Sequence, residues 1–227
     1  MKFMQILPLA FNIETSLTLL TQYFGETLKI FALTIVFSLP LGMVVTFLRK
    51  AKFKPVAWLT KLYISVMRGT PLMLQLIVVF YAPYYLFHIR LSTEYRFWAV
   101  IIGFVVNYAA YFAEIFRGGI ESIPKGQYEA AKILGFGKFQ TFMRIILPQV
   151  LKTVLPSVTN EVITLVKDTS LAYTLSYMEM FTKAKELMSA QASLGPLFVA
   201  GAFYYIMNYI VAFIMERFEK RMNYYSR

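Results

Sequence analysis

Residues 27 to 48 are apolar over a length that crosses the ~30 Å hydrocarbon core of a bilayer as one helix, and they stop at Arg49, Lys50, Lys52 and Lys54. Few folds can hold such a stretch. In hydrocarbon every backbone N–H and C=O must find its partner within the protein, so the segment is helical and its basic end faces water. The pattern recurs at residues 72 to 87, 95 to 116, 149 to 166 and 195 to 215. Hydrophobic residues make up 58% of the chain, charged ones 15%, and mean hydropathy is +0.57, which excludes an ordinary soluble domain.

The basic clusters orient these spans. Arg49, Lys50, Lys52, Lys54, Lys61 and Arg68 follow the first; Arg117, Lys125, Lys132, Lys138 and Arg144 lie between the third and fourth, with Lys152 in the first turn of the fourth; Arg217, Lys220, Arg221 and Arg227 follow the last. Together they hold 16 of the 23 lysines and arginines, the asymmetry of cytoplasmic loops. The expected fold is therefore an all-α integral membrane protein with five transmembrane helices, N-terminus outside and C-terminus inside, forming one domain over residues 1–227. A net charge of +11 then belongs to membrane boundaries and calls for no nucleic acid.

Breaks refine this outline. Residues 1 to 24 contain Pro8, Asn12, Glu14, Thr15 and Ser16 and lack a cleavage pattern, which predicts a helix lying at the outer surface. Pro40 predicts a kink in the first span, and Ser38 with Gly42 suits close helix packing, as do Gly103, Ala109 and Ala113 later. Residues 56 to 87 are too long for one straight span and too short for a hairpin, so a lead-in helix, a break at Arg68-Gly69-Thr70-Pro71 and a span from Leu72 to Phe87 are expected. Residues 176 to 191 put Tyr177, Phe181, Ala184 and Met188 on one stripe, too polar overall to span, and read as an outer surface helix.

Residues 126 to 148 form a polar, helix-prone island between apolar stretches. Gly126 to Leu134 predicts a short helix with Glu129 near its positive end and Gly135 and Gly137 as its break. A second helix is expected from Lys138 to about Ile146, closed by Pro148. Ala130 and Ala131 leave little bulk on one face, as a helix seated in another protein's groove requires.

The run Glu129-Ala130-Ala131, Gly135, Ile145, Leu147-Pro148 resembles the EAA loop of ABC importer permeases in residue type and spacing. Arg68-Gly69-Thr70-Pro71, Ala113-Glu114-Ile115-Phe116-Arg117-Gly118-Gly119-Ile120, Asn160-Glu161 and Lys167-Asp168-Thr169-Ser170-Leu171 resemble the polar amino-acid branch of that family, over roughly residues 25 to 220. The resemblance implies the type I importer permease fold in a bacterial cytoplasmic membrane, with residues 118–148 as the cytoplasmic coupling loop. Its coupling residues would be Gly126, Glu129, Ala130, Ala131, Leu134, Gly135, Leu147 and Pro148. It also implies partners: ABC ATPase subunits, a second permease subunit, identical or homologous, and an extracytoplasmic amino-acid-binding protein. The chain has no GxxxxGK[ST] stretch, so ATP and Mg²⁺ would be bound by the ATPase and no cofactor by this chain.

Intramembrane polar residues are the substrate candidates. A carboxylate at mid-bilayer costs about 2.5 to 3.5 kcal/mol unless it meets a partner or water, so Glu161 either holds a substrate ammonium or pairs with a buried base such as Arg68. Asp168 lies seven residues on, nearly on the same face, with Lys167 beside it as a neutralising base. Asn107, Tyr111 and Thr164 are lining candidates, and Arg68 either snorkels to the cytoplasmic surface or lies by the break, where it joins a carboxylate or binds a substrate carboxylate. His88 is the only histidine and cysteine is absent, which leaves no basis for a metal site or thiol chemistry. No nucleophile, base and orienting residue cluster by spacing, so the chain reads as a transport subunit and not an enzyme. A stand-alone carrier or channel for small polar solutes is the alternative; it would have no use for the island.

Overall fold

The computed structural model describes residues 12–222, and every regular element among them is helical. In order these are α1 (Ile13–Arg49), α2 (Lys54–Gly69), α3 (Leu72–Phe87), α4 (Thr93–Ser122), α5 (Lys125–Ile133), α6 (Lys138–Thr141), a π-helical turn (Phe142–Ile146), α7 (Leu147–Asp168), a 3₁₀ segment (Thr169–Leu175), α8 (Met180–Ala190) and α9 (Gly195–Met222). By length and apolarity α1, α4 and α9 can each cross a membrane, and α2 with α3 pass the same test as one broken pair. The break falls where Pro71 forces Thr70 out of the helical region, to φ −124° and ψ 150°.

The N-terminal expectation changes. Residues 1–11 lie outside the described ones; among the described residues the chain from Ile13 is already in the helix that runs to Arg49, so residues 13 to 24 form no helix separate from the first span. The polar residues read as an interruption are its cap: Asn12 Oδ1 accepts the Thr15 N–H at 2.9 Å and the Ser16 hydroxyl donates to the Asn12 carbonyl. Pro40 is housed within α1, as membrane helices permit.

Two compact units emerge from the contacts. The first takes the chain up to Ile35, Pro71–Val105 and Thr164–Ile210. Its core joins Leu20 of α1, Met180, Ala184 and Leu187 of α8, and Ala200 of α9. The stripe expected on α8 is thus displaced: Met180, Ala184 and Leu187 face inward, while Phe181 and Met188 are half-buried. Glu179 sets that register by starting the helix, its carboxylate accepting the Phe181 and Thr182 N–H groups at 2.9 and 2.7 Å. Fully buried, it also accepts from the hydroxyls of Thr27 on α1 and Tyr204 on α9, both at 3.1 Å. Burial pushes its carboxyl up, against the pull of these donated bonds.

The second unit takes Val36–Thr70, Val106–Ile163 and the chain from Val211 on. Small residues let its helices touch. A Cβ on Gly42 of α1 would lie 2.8 Å from Phe112 Cβ and 3.2 Å from the Ala109 carbonyl, and one on Gly119 would lie 2.2 Å from Val154 Cγ1. Ala109, Ala110 and Ala113 are fully buried. Gly42→Ala gains about 1 kcal/mol of helix propensity and loses roughly 1–3 kcal/mol to overpacking against atoms that cannot swing away. The expected outcome is a melting temperature lowered by a few degrees in the detergent-purified protein.

Candidate functional site

The island folds as a short exposed helix on a fixed base. Pro124 precedes α5, a favourable entry because proline's preset φ suits a helix start. Gly135, at φ +77°, ends it: the Gly135 N–H bonds the Lys132 carbonyl at 3.1 Å and the Phe136 N–H bonds the Ala131 carbonyl at 3.0 Å. Only glycine takes that left-handed position without strain. Gly137 then opens α6, its N–H bonded to Gln140 Oε1 at 3.2 Å.

The island exposes large apolar side chains among its polar ones. Ile133 is 86%, Leu134 72% and Phe139 76% exposed, beside Tyr128, Glu129, Ala130 and Lys132. Ala131 does not share that surface; at 1% exposure it faces inward, so its small side chain serves the island's own packing. Gly126 stands in open space. Pro148 does not close the second helix either. The chain passes from α6 through the π turn directly into α7, with the Leu147 N–H reaching back to the Phe142 carbonyl. The widened turn precedes the proline, whose ring would otherwise press on the carbonyl four residues back. Leu147 and Pro148 are therefore the first turn of a long helix, beside an open groove of about 900 Å³ lined by Ile123, Arg144, Gln149 and Lys152.

α7 carries a buried apolar row and, beside it, a polar one. Val150, Val154, Val158, Val162 and Val166 are buried at every fourth position. Ser157, Glu161, Thr164 and Asp168 follow one another at spacings of four, three and four along the same unbroken helix, in a row that adjoins the valines, Ser157 and Thr164 exposed and the two acids half-buried. Ser157 was missed in the sequence reading, although its spacing from Glu161 was the available signal. The helix ends at Asp168 and tightens into the 3₁₀ segment, so the Lys167-Asp168-Thr169-Ser170 run is a helix-ending turn.

The remaining candidates assemble on α2 and α4 of the second unit. Asn107 is buried and its amide donates to the Met67 carbonyl at 3.2 Å, tying α4 to the end of α2. The Arg68 guanidinium lies 5.5 Å from the Tyr111 ring centre and 3.8 Å from Glu114, so the carboxylate that Arg68 meets is Glu114. Glu114 also faces Arg49 and Arg117, the latter at 2.9 Å. Among the described residues no three His, Asp or Glu side chains converge as a metal site would require.

Comparison with known proteins assigns this arrangement to a family. The profile described as "binding-protein-dependent transport system inner membrane component" matches residues 38–224. The arginine transport system permease protein ArtQ of Bacillus subtilis (strain 168) is 35% identical over 197 residues, covering 86% of this chain and 89% of that protein. The octopine transport system permease protein OccM of Rhizobium radiobacter is 41% identical over 187 residues, covering 78% and 76%. The crystal structure of an amino acid ABC transporter with histidines superposes with a TM-score of 0.82 at 27% identity, over 92% of this chain and 96% of that one. A profile match over most of the length, joined to relatives aligned across most of both chains, establishes that this chain belongs to the inner membrane components of binding-protein-dependent transport systems.

Proposed function

We propose that this chain is the permease subunit of an ATP-driven importer that carries a polar amino acid across the bacterial cytoplasmic membrane. The observation that carries the reading is α5: a nine-residue helix held by a proline entry and a glycine exit, with Ile133 and Leu134 projecting almost wholly exposed. Large apolar side chains on so polar a segment suit a partner's groove better than water or lipid. The partner is an ABC ATPase that binds ATP and Mg²⁺, this chain binding neither. Glu129, Ala130 and Leu134 meet the ATPase, while Gly126, Ala131, Gly135, Leu147 and Pro148 shape and anchor the element.

Five spans follow if α7 is counted with α1, the α2–α3 pair, α4 and α9. The N-terminus is then outside and the island cytoplasmic, in keeping with the placement of basic residues. α7 tolerates its polar row because that face looks onto a water-bearing passage or a second permease subunit, identical or homologous. Glu161, with Asp168, holds the substrate ammonium, and Thr164 lines the same face. Asn107, Arg68 and Tyr111 serve chiefly to hold α2 and α4 together. A binding protein outside the membrane delivers the substrate.

The deciding experiment reconstitutes this chain with its ATPase in lipid and measures ATP hydrolysis with a panel of amino acids, each presented on its binding protein. Stimulation by one or a few polar amino acids is expected. ATP hydrolysis indifferent to every loaded binding protein would remove the importer reading and favour a carrier or channel.

A further inference from the structure

The second unit holds more positive charge than the candidate site can use. Glu114 alone faces Arg49, Arg68 and Arg117; Glu121 faces Arg117 and, at 3.6 Å, Lys50. Lys61 makes no ion pair among the described residues. Four cations therefore share two carboxylates, and two of them, Arg49 and Arg68, line one open cleft of about 620 Å³ together with the unpaired Lys61 and with Ser65, Tyr111 and Glu114. Arg68 is only loosely held there, 45% exposed and 3.8 Å from its carboxylate.

Such a cleft selects by charge. A zwitterionic amino acid would bring an ammonium to a place where the only acid is already surrounded by guanidinium groups. A phosphate brings negative charge alone, together with oxygens that match the donor fork of arginine, the ammonium of Lys61 and the exposed hydroxyl of Ser65. The flank of the cleft indicates where that phosphate comes from. Trp58, Leu62 and Val66 are exposed on α2 at every fourth position, beside the row Lys61, Ser65 and Arg68. Acyl chains can lie along the first row while a headgroup occupies the second, with Trp58 at the interfacial depth that tryptophan favours.

We propose that the cleft of Arg49, Lys61 and Arg68 is a phosphate-binding site filled from the bilayer by the headgroup of an anionic phospholipid, which bridges α2 to α4 beside Glu114. Free phosphate offers the same chemistry without the acyl chains. The proposal takes only the leaflet from the topology proposed above; lipid retention is read without transport, so failure of the importer reading leaves it standing.

The test releases the assembled complex from nanodiscs of phosphatidylcholine containing a minority of phosphatidylglycerol and counts retained lipids by native mass spectrometry. Lys61→Gln, at an exposed side chain outside any ion pair, is expected to retain about fivefold less phosphatidylglycerol, the loss of one basic contact at a lipid surface. Lys61→Arg should retain it as the parent does, and phosphatidylcholine retention should not change. Equal phosphatidylglycerol retention by the parent and by both Lys61→Gln and the Lys61→Gln, Arg68→Gln double variant overturns the proposal. So does a lipid-free complex in detergent whose melting temperature rises with inorganic phosphate and not with phosphatidylglycerol, since that assigns the cleft to a soluble anion.

Discussion

Glu161→Gln is expected to lower ATP-driven import by roughly 10- to 100-fold while leaving assembly with the ATPase intact. The estimate follows from the net worth of a hydrogen bond to a charged group, about 1.5–3 kcal/mol. Glutamine keeps the shape of the side chain and its capacity to accept a hydrogen bond, so the loss isolates the negative charge. Glu161 sits half-buried on the Ser157, Glu161, Thr164, Asp168 row, at the border of the valine row that packs α7. A substrate ammonium passing that row would feel the charge directly. Transport in proteoliposomes and recovery of the complex by size-exclusion chromatography are the two readouts. If recovery falls as far as transport, Glu161 is a packing residue and the ammonium-binding role goes to another side chain. Asp168→Asn should have a smaller effect, because the turn that follows it places it at the helix end, where charge costs less.

Placing a tryptophan at Ala130 is expected to abolish ATP-coupled transport, with ATPase affinity reduced by about 30-fold or more. A bulky group on the exposed face holds the groove away from α5, and the central contacts of an interface commonly carry 2 kcal/mol or more each. Leu134→Asp approaches the same surface from the other direction, by removing a 72% exposed apolar side chain and installing a charge. Both substitutions leave the buried side of α5 untouched. Ala131→Trp would not make this distinction: Ala131 is 1% exposed, so a large side chain there would disrupt the island itself. Co-purification of the ATPase reports docking, and substrate flux without ATP reports any passive pathway. Unimpaired ATP-coupled transport in both variants would remove α5 from the coupling surface.

These expectations combine readings that the sequence supplied with others that it could not. The ends of elements were largely legible because their signals are local. Pro71 breaks α2 from α3, Gly135 closes α5 and the Asp168 turn ends α7 through bonds formed within a few residues. Basic clusters and apolar lengths were legible for the same reason, since the bilayer acts on each stretch independently. Where local signals had two uses, the reading failed. Asn12, Glu14, Thr15 and Ser16 can interrupt a helix or begin one, and they begin α1. Pro148 ends most helices, yet a π turn ahead of it carries α6 into α7.

By itself the sequence determined an all-helical membrane chain, its breaks, its basic boundaries and the polar row of α7, because each depends on chemistry between near neighbours or between one segment and its solvent. The tertiary structure alone decided which alanine of the island faces outward, which stripe of α8 is buried and which carboxylate meets Arg68. Those outcomes depend on helices far apart in the chain. Arg68 and Glu114 are separated by forty-six positions, and only the packing of Ile64 of α2 with Ala110 and Ala113 of α4 brings them near enough for charge to choose its partner.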